Sequence, residues 1–130
     1  MTVWVFDLDG TLIGSIRNDR LRPGARELLA ALAERDVTCV LWSAGGAAYA
    51  ERKAHEHGIA DAFVAFYDKA ERDFDQRYLV DHFAPEHFPD VFVDDSPRDV
   101  RAGASVIRVP QFMGGNDADR SLRDLLEAQP

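Results

Sequence analysis

Apolar residues in this chain gather in five short runs, at 3–7, 37–42, 63–67, 91–94 and 106–109. Most are near-continuous Val, Ile, Leu and Phe rather than alternating apolar and polar, so they predict strands covered on both faces. Between them the pattern changes to helical spacing. Residues 24–35 carry Leu28, Leu29 and Leu32 on one side, with Pro23 as a first helical residue. A second helix is predicted over 45–57, stopped by Gly58, and a third over 75–83, closed off by Pro85. A fourth opens at Ser96-Pro97 as N-cap and first helical position, and a last over 117–128 spaces Leu122, Leu125 and Leu126 for one face. Strands alternating with helices predict right-handed βαβ units and a parallel sheet. No internal repeat, low-complexity tract or linker interrupts the pattern, so residues 1–130 read as one α/β domain.

In such a sheet, ligands bind beyond the carboxyl ends of the strands, where the strand order reverses. The polar residues of interest all fall at such ends. Asp7 closes the first run, Ser43 follows the second, Lys69 follows the third, and Asp94-Asp95 closes the fourth.

The first of these groups is Val5-Phe6-Asp7-Leu8-Asp9-Gly10-Thr11-Leu12. If the strand continued regularly, Asp7 and Asp9 would share a face. Two neighbouring carboxylates can divide labour, one ionised as nucleophile and one protonated as general acid. In Leu41-Trp42-Ser43-Ala44-Gly45-Gly46, a hydroxyl at a strand end precedes small residues that open a helix, an arrangement suited to phosphate. An ordinary N-cap is the competing reading of Ser43. Lys53 and Lys69 are the only lysines; Lys53 reads as a solvated mid-helix residue, Lys69 as a cation at a strand end. In Val91-Phe92-Val93-Asp94-Asp95-Ser96-Pro97-Arg98-Asp99, adjacent carboxylates at the end of a buried strand repel unless a cation joins them, and magnesium prefers such oxygen ligands. Ser96 to Asp99 also reads as a capping box.

Taken together, these four groups resemble motifs I to IV of the haloacid dehalogenase superfamily, in the same order and over nearly the whole chain. Asp at the second motif I position resembles the phosphatases and phosphomutases of that superfamily. The resemblance implies a three-layer α/β/α Rossmann-like core with a five-stranded parallel sheet. It implies a magnesium-dependent phosphohydrolase in which Asp7 is the nucleophile, Asp9 the acid/base, and Ser43 and Lys69 complete the catalytic set. Thr11, Ser43, Ala44 and Lys69 would contact the substrate. Asp7, Asp9 (through its carbonyl) and Asp95 would hold Mg2+, with Asp94 and Asp99 in support. A response-regulator receiver shares the acidic pocket but orders its groups differently along the chain. A binding or regulatory module that turns over slowly or not at all is the second reading.

Neither interval between these motifs is long enough for a folded cap domain, since units below about 40 residues rarely fold unaided. Only Ile13 to Arg22 can serve as a flap over Asp7. The resemblance implies that an open site of this kind accompanies protein or nucleic-acid substrates, or small ones enclosed by a neighbouring subunit. The acidic charge disfavours nucleic acid, which leaves a phosphorylated small molecule or phosphoprotein as the expected substrate. The stretch Glu71 to Pro89 offers Arg72, Phe74, Arg77, Tyr78, His82 and His87 near the pocket rim. The favoured reading of that stretch is a solvated helix with Tyr78, Leu79 and Phe83 packed inward.

Composition narrows the choices further. The formal charge of −8 argues against broad nucleic-acid binding, which needs a basic face. It also makes a bound cation more necessary at any phosphate site. Cys39 is the single cysteine and sits in an apolar run, so it reads as core. The four histidines show no zinc-ligand spacing. With no long apolar run and no leader-like N-terminus, a cytoplasmic location is the expectation. Phe112-Met113 offers an apolar edge for an oligomer contact.

Overall fold

Strand β1 (Val3–Asp7) is buried at all five positions. Side chains alternate across a strand, so a run buried throughout must be covered on both sides. Trp4 and Phe6 join one core cluster, Val3 and Val5 the other. The computed structural model describes residues 2–70, 72–74, 76–96 and 104–129, and within them the chain forms a five-stranded sheet around β1.

After β1 comes a hairpin of β2 (Ile13–Ser15) and β3 (Asn18–Leu21), then α1 (Ala25–Glu34), β4 (Thr38–Ser43) and α2 (Ala47–Glu56). Beyond these lie β5 (Ala65–Asp68), β6 (Val91–Asp94), β7 (Ser105–Arg108) and α3 (Ser121–Ala128). The sheet order is β5-β4-β1-β6-β7, with every pairing parallel. The chain moves outward from β1 through β4 to β5, then returns to β6 on the other side. The strand order therefore reverses at β1, and the crevice lies at its carboxyl end.

Ala25, Leu28, Leu29 and Leu32 of α1, Ala50 and Ala54 of α2, and Leu122 of α3 pack on the Trp4–Phe6 face. Cys39 lies in that core, where burial pushes its thiol up to about 12. Pro23 falls in the turn before α1 rather than at its first position, because Gly24 takes the left-handed conformation ahead of Ala25. Among the described residues no helix is long and apolar enough to cross a membrane.

The opposite face departs from the predicted helix over 75–83. No helix forms at 76–83; Val80 and Phe83 cover Trp42 and Phe92 from an irregular segment. Asp73 explains why. Its carboxylate accepts from the Arg77 N–H at 2.9 Å, its carbonyl accepts from Gln76 N–H at 3.0 Å, and Gln76 adopts φ 65°. A side chain that bonds the backbone locally competes with the helix ladder. Val80, not Leu79, takes the core position, and Tyr67 stacks on Phe83 with centroids 4.0 Å apart. The helix expected from Ser96-Pro97, and Asp99 with it, lies outside the described residues.

Arg22 binds three segments together. Its side chain is fully buried and donates to the Thr11 carbonyl at 3.2 Å, the Pro110 carbonyl at 2.7 Å and both Asp119 oxygens at 2.9 Å. Phe112 closes over the guanidinium at 5.4 Å and is itself buried, so of the expected apolar edge only Met113 is exposed. Burial pushes the Asp119 carboxyl up, but hydrogen bonds from Arg22 and the Ser121 N–H outweigh it and hold the group below its ordinary value. Arg22→Met should cost about 3 kcal/mol in denaturant unfolding, because buried acceptors and a carboxylate lose their donor. A carboxyl lowered by folding stabilises above its unfolded pKa and loses that contribution as pH falls through the folded value. The gap between wild type and Arg22→Met should therefore hold at neutral pH and narrow only in acid.

Candidate functional site

Regular strand geometry stops at Asp7. The Leu8 carbonyl then accepts from the N–H groups of Thr11, Leu12 and Ile13, so the chain turns sharply beneath the crevice. Gly10 makes the turn possible: its φ is +83°, and a Cβ there would lie 2.5 Å from an Asp95 oxygen. This turn separates the two aspartates. Asp7 is buried, whereas Asp9 is exposed at the rim, so the same-face argument does not extend to it.

Asp7 is fixed at both oxygens. Oδ1 accepts from Lys69 Nζ at 2.9 Å and Oδ2 from the Thr11 hydroxyl at 3.0 Å. The same hydroxyl lies 3.3 Å from Asp95 Oδ1. Lys69 also reaches Asp94 Oδ2 at 3.4 Å, and the other Asp94 oxygen accepts from the Ser96 N–H at 2.8 Å. Thus Thr11, Lys69, Asp94 and Asp95 all converge on Asp7. The sequence placed Lys69, Asp94 and Asp95 at strand ends around one crevice, whereas Thr11, expected to contact substrate, bonds the Asp7 carboxylate. Trp42 and Tyr78 flank the Lys69 ammonium with ring centroids 5.0 and 5.4 Å away, which favours the charged amine.

Oxygens of Asp7, Asp94 and Asp95 lie within 4.8 Å of one another. Burial pushes the Asp7 carboxyl well above the ordinary carboxylate value; Lys69 pulls it down, while Asp94 and a hydrogen bond with Asp95 push it up. Among the described residues, one ammonium faces three carboxylates, an excess of negative charge in a largely buried place. A divalent cation with oxygen preference would remove that excess, so the donor set fits magnesium. All three carboxylates accept hydrogen bonds inside the cluster, Asp7 from Lys69 and Thr11, Asp95 from Thr11, and Asp94 from Lys69 and the Ser96 N–H.

Ser43 is buried at the end of β4, and its Oγ accepts from the Gly45 N–H at 3.0 Å, which leaves the hydroxyl proton to donate. Ala44 follows, exposed at the mouth. The expectation of open N–H groups at the start of α2 is only partly met, because Ala47 N–H donates to the Asp68 carboxylate.

Several residues at the site carry no local sequence signal. Tyr49, on α2, donates its phenol to Asp9 Oδ1 at 2.9 Å across a separation of 40 positions. Burial and the Asp9 carboxylate push that phenol up to about 12. Lys53 is not simply solvated; it pairs with Asp19 of β3 and with Glu56 at 3.1 Å. In the segment read as a solvated helix, with substrate contact as its alternative, His82 bonds the Asp68 carbonyl at 2.6 Å, His87 meets the Tyr67 hydroxyl at 2.7 Å, and Arg72 meets Tyr78 at 2.7 Å. Phe74 is fully exposed.

A carboxyl raised by folding destabilises when ionised, so its contribution is present below the unfolded pKa and lost as pH rises through the folded value. Asp7→Asn keeps the shape and removes that charge. In chelator at neutral pH the variant should unfold at higher denaturant than wild type, by on the order of 1 kcal/mol. The difference should disappear as pH falls below the ordinary carboxylate range.

The sequence matches the family described as NLI interacting factor-like phosphatase over residues 2–129. A search of curated proteins finds no significant match. Among solved structures, an uncharacterized protein from Listeria monocytogenes serotype 4b superposes with a TM-score of 0.70 at 18% identity, covering 98% of this chain and 96% of that one. A chain of the Pnkp1/Rnl/Hen1 RNA repair complex gives 0.60 at 18% identity, covering 85% of this chain and 43% of that one. The core domain of a proposed phosphoglycolate phosphatase from Streptococcus pneumoniae TIGR4 gives 0.53 at 15% identity, covering 98% and 96%. At these identities the likeness is one of fold.

Proposed function

The chain belongs to the family of NLI interacting factor-like phosphatases, and from that premise we propose that it is a magnesium-dependent hydrolase of phosphate monoesters that works through an aspartyl-phosphate on Asp7. The observation that carries this reading is the clamp on Asp7, with Lys69 on one oxygen and Thr11 on the other at the carboxyl end of the central strand.

Asp7 attacks phosphorus in line, forming a P–O bond as the bond to the leaving oxygen breaks. Lys69 favours the ionised form of the attacking carboxylate, although burial outweighs it and raises that carboxyl on balance. Ser43 donates to a phosphoryl oxygen, and the adjoining Ala44 backbone lies at the same mouth. Asp9, at the rim where a leaving group departs, gives it a proton. The same carboxylate then accepts a proton from water as that water attacks the acyl phosphate, which restores Asp7. Asp7 and Asp95, with the Asp9 carbonyl and supported by Asp94, would hold Mg2+, which when bound neutralises charge developing on the phosphoryl oxygens. The hairpin β2–β3 is the only insertion between Asp7 and α1. The site is therefore open to a phosphorylated small molecule or a phosphoprotein side chain.

Hydrolysis of an aryl phosphate should require magnesium and stop with chelator. Asp7→Asn should lower kcat by at least about 10³-fold while its circular dichroism stays native; retained turnover would sink the nucleophile assignment. Magnesium at about 100 times its Kd should stabilise the wild type by about 2.7 kcal/mol. Asp95→Asn should lose most of that rise in Tm while keeping its metal-free Tm within a few degrees.

A further inference from the structure

Beside Asp9 lies an open groove of about 820 Å³, walled by the tip of the β2–β3 hairpin on one side and the first turns of α2 on the other. Ile16 and Met113 stand on its rim, 93% and 57% exposed, with the Tyr49 ring behind them. Two large apolar side chains left in water next to a reactive centre mark a binding surface rather than a random exposure. The hairpin tip is also fixed in place. A Cβ on Gly114 would lie 1.9 Å from the Asn18 carbonyl oxygen, so the loop that carries Met113 rests directly on the hairpin.

The charges here run against those of the whole chain. Arg17, Arg52 and Lys53 line the groove against only two carboxylates, Asp9 and Asp19. Both carboxylates are occupied, Asp9 by the Tyr49 phenol and Asp19 by Lys53. Lys53 is further neutralised by Glu56. Among the described residues Arg52 has one ion-pair contact, exposed, with Glu56 at 3.8 Å, which solvent screens, and its guanidinium lies 5.5 Å over the Tyr49 ring. Arg17 makes no ion pair among the described residues. In a protein of formal charge −8, two arginines with unspent donors face one apolar groove that opens on Asp9.

We propose that this groove receives the leaving group of the substrate, and that Arg17 and Arg52 select a leaving group with an apolar body and a second anion. Guanidinium groups bind carboxylate or phosphate by paired N–H donors, and the anion would complete the donors that the protein leaves unmatched. The volume suits a leaving group of small-molecule size. This inference rests on the phosphatase reading above, because it assigns the departing half of the substrate to the Asp9 side.

The test compares four probes with magnesium present: phenyl phosphate, 4-carboxyphenyl phosphate, its analogue with a carboxyethyl arm, and 1,4-phenylene bisphosphate. For wild type, kcat/KM on at least one doubly anionic probe should exceed that on phenyl phosphate by about tenfold or more, the value of a charge-assisted hydrogen bond. The carboxylate and bisphosphate arms identify which anion is preferred. Arg17→Ala and Arg52→Ala should each lower that preference ratio severalfold, and Arg52→Lys should restore part of it. A ratio near one, or a ratio that the arginine substitutions do not move, overturns the proposal. Calorimetric binding of the same probes to Asp7→Asn separates this inference from its premise. Arginine-dependent preference in binding without turnover by wild type keeps the groove and removes the phosphatase; turnover of phenyl phosphate with no preference in either assay does the reverse.

Discussion

Asp7 and Lys69 are both withdrawn from water and face each other at 2.9 Å, with Asp94 and Asp95 close behind. Burying an ion is costly, and an ion pair recovers that cost only when its geometry and remaining hydrogen bonds are good. Here Thr11 satisfies the second Asp7 oxygen, and two aromatic rings flank the ammonium. The cluster is nonetheless over-supplied with carboxylates, and burial drives Asp7 toward its neutral acid. A neutral acid is no nucleophile. On the proposed reading a cation joining the site would resolve the tension, so that local instability without metal and suitability for phosphoryl chemistry would be two aspects of one arrangement.

The fold serves that arrangement by placing β1 at the reversal of strand order. Its neighbours β4 and β6 then deliver Ser43 and Asp94 to the same edge as Asp7, and β5 delivers Lys69 one strand further out. Rigidity comes from outside the cluster. Arg22 bonds the turn that carries Thr11, the loop at Pro110 and the residues just before α3, so the turn beneath the crevice is held by a buried cation outside the Asp7 cluster.

Much of this was legible in the chain. Continuous apolar runs marked the five parallel strands, since burial on both faces leaves no alternation, and four of the five strand ends named a residue of the crevice. Three things were not legible, for separate reasons. Asp73 diverts residues 76–83 from a helix through a local side-chain bond that helical periodicity does not register. The Tyr49 link to Asp9 and the Arg22 network join residues far apart in sequence, with nothing in either neighbourhood to announce a partner. Asp9 looked equivalent to Asp7 because spacing alone assumes a strand that continues, whereas Gly10 and the Leu8 carbonyl end it.

The central claim is that the clamped carboxylate of Asp7 itself takes up the phosphoryl group. The most direct test is to mix the protein with magnesium and excess aryl phosphate, quench in acid during turnover, and locate any added phosphoryl mass by peptide fragmentation. The account predicts the mass of one phosphoryl group on the peptide that contains Asp7, at Asp7 and not at Asp9. A phosphoryl group on any other residue would contradict it, and so would steady turnover with none trapped under any quench that preserves acyl phosphates.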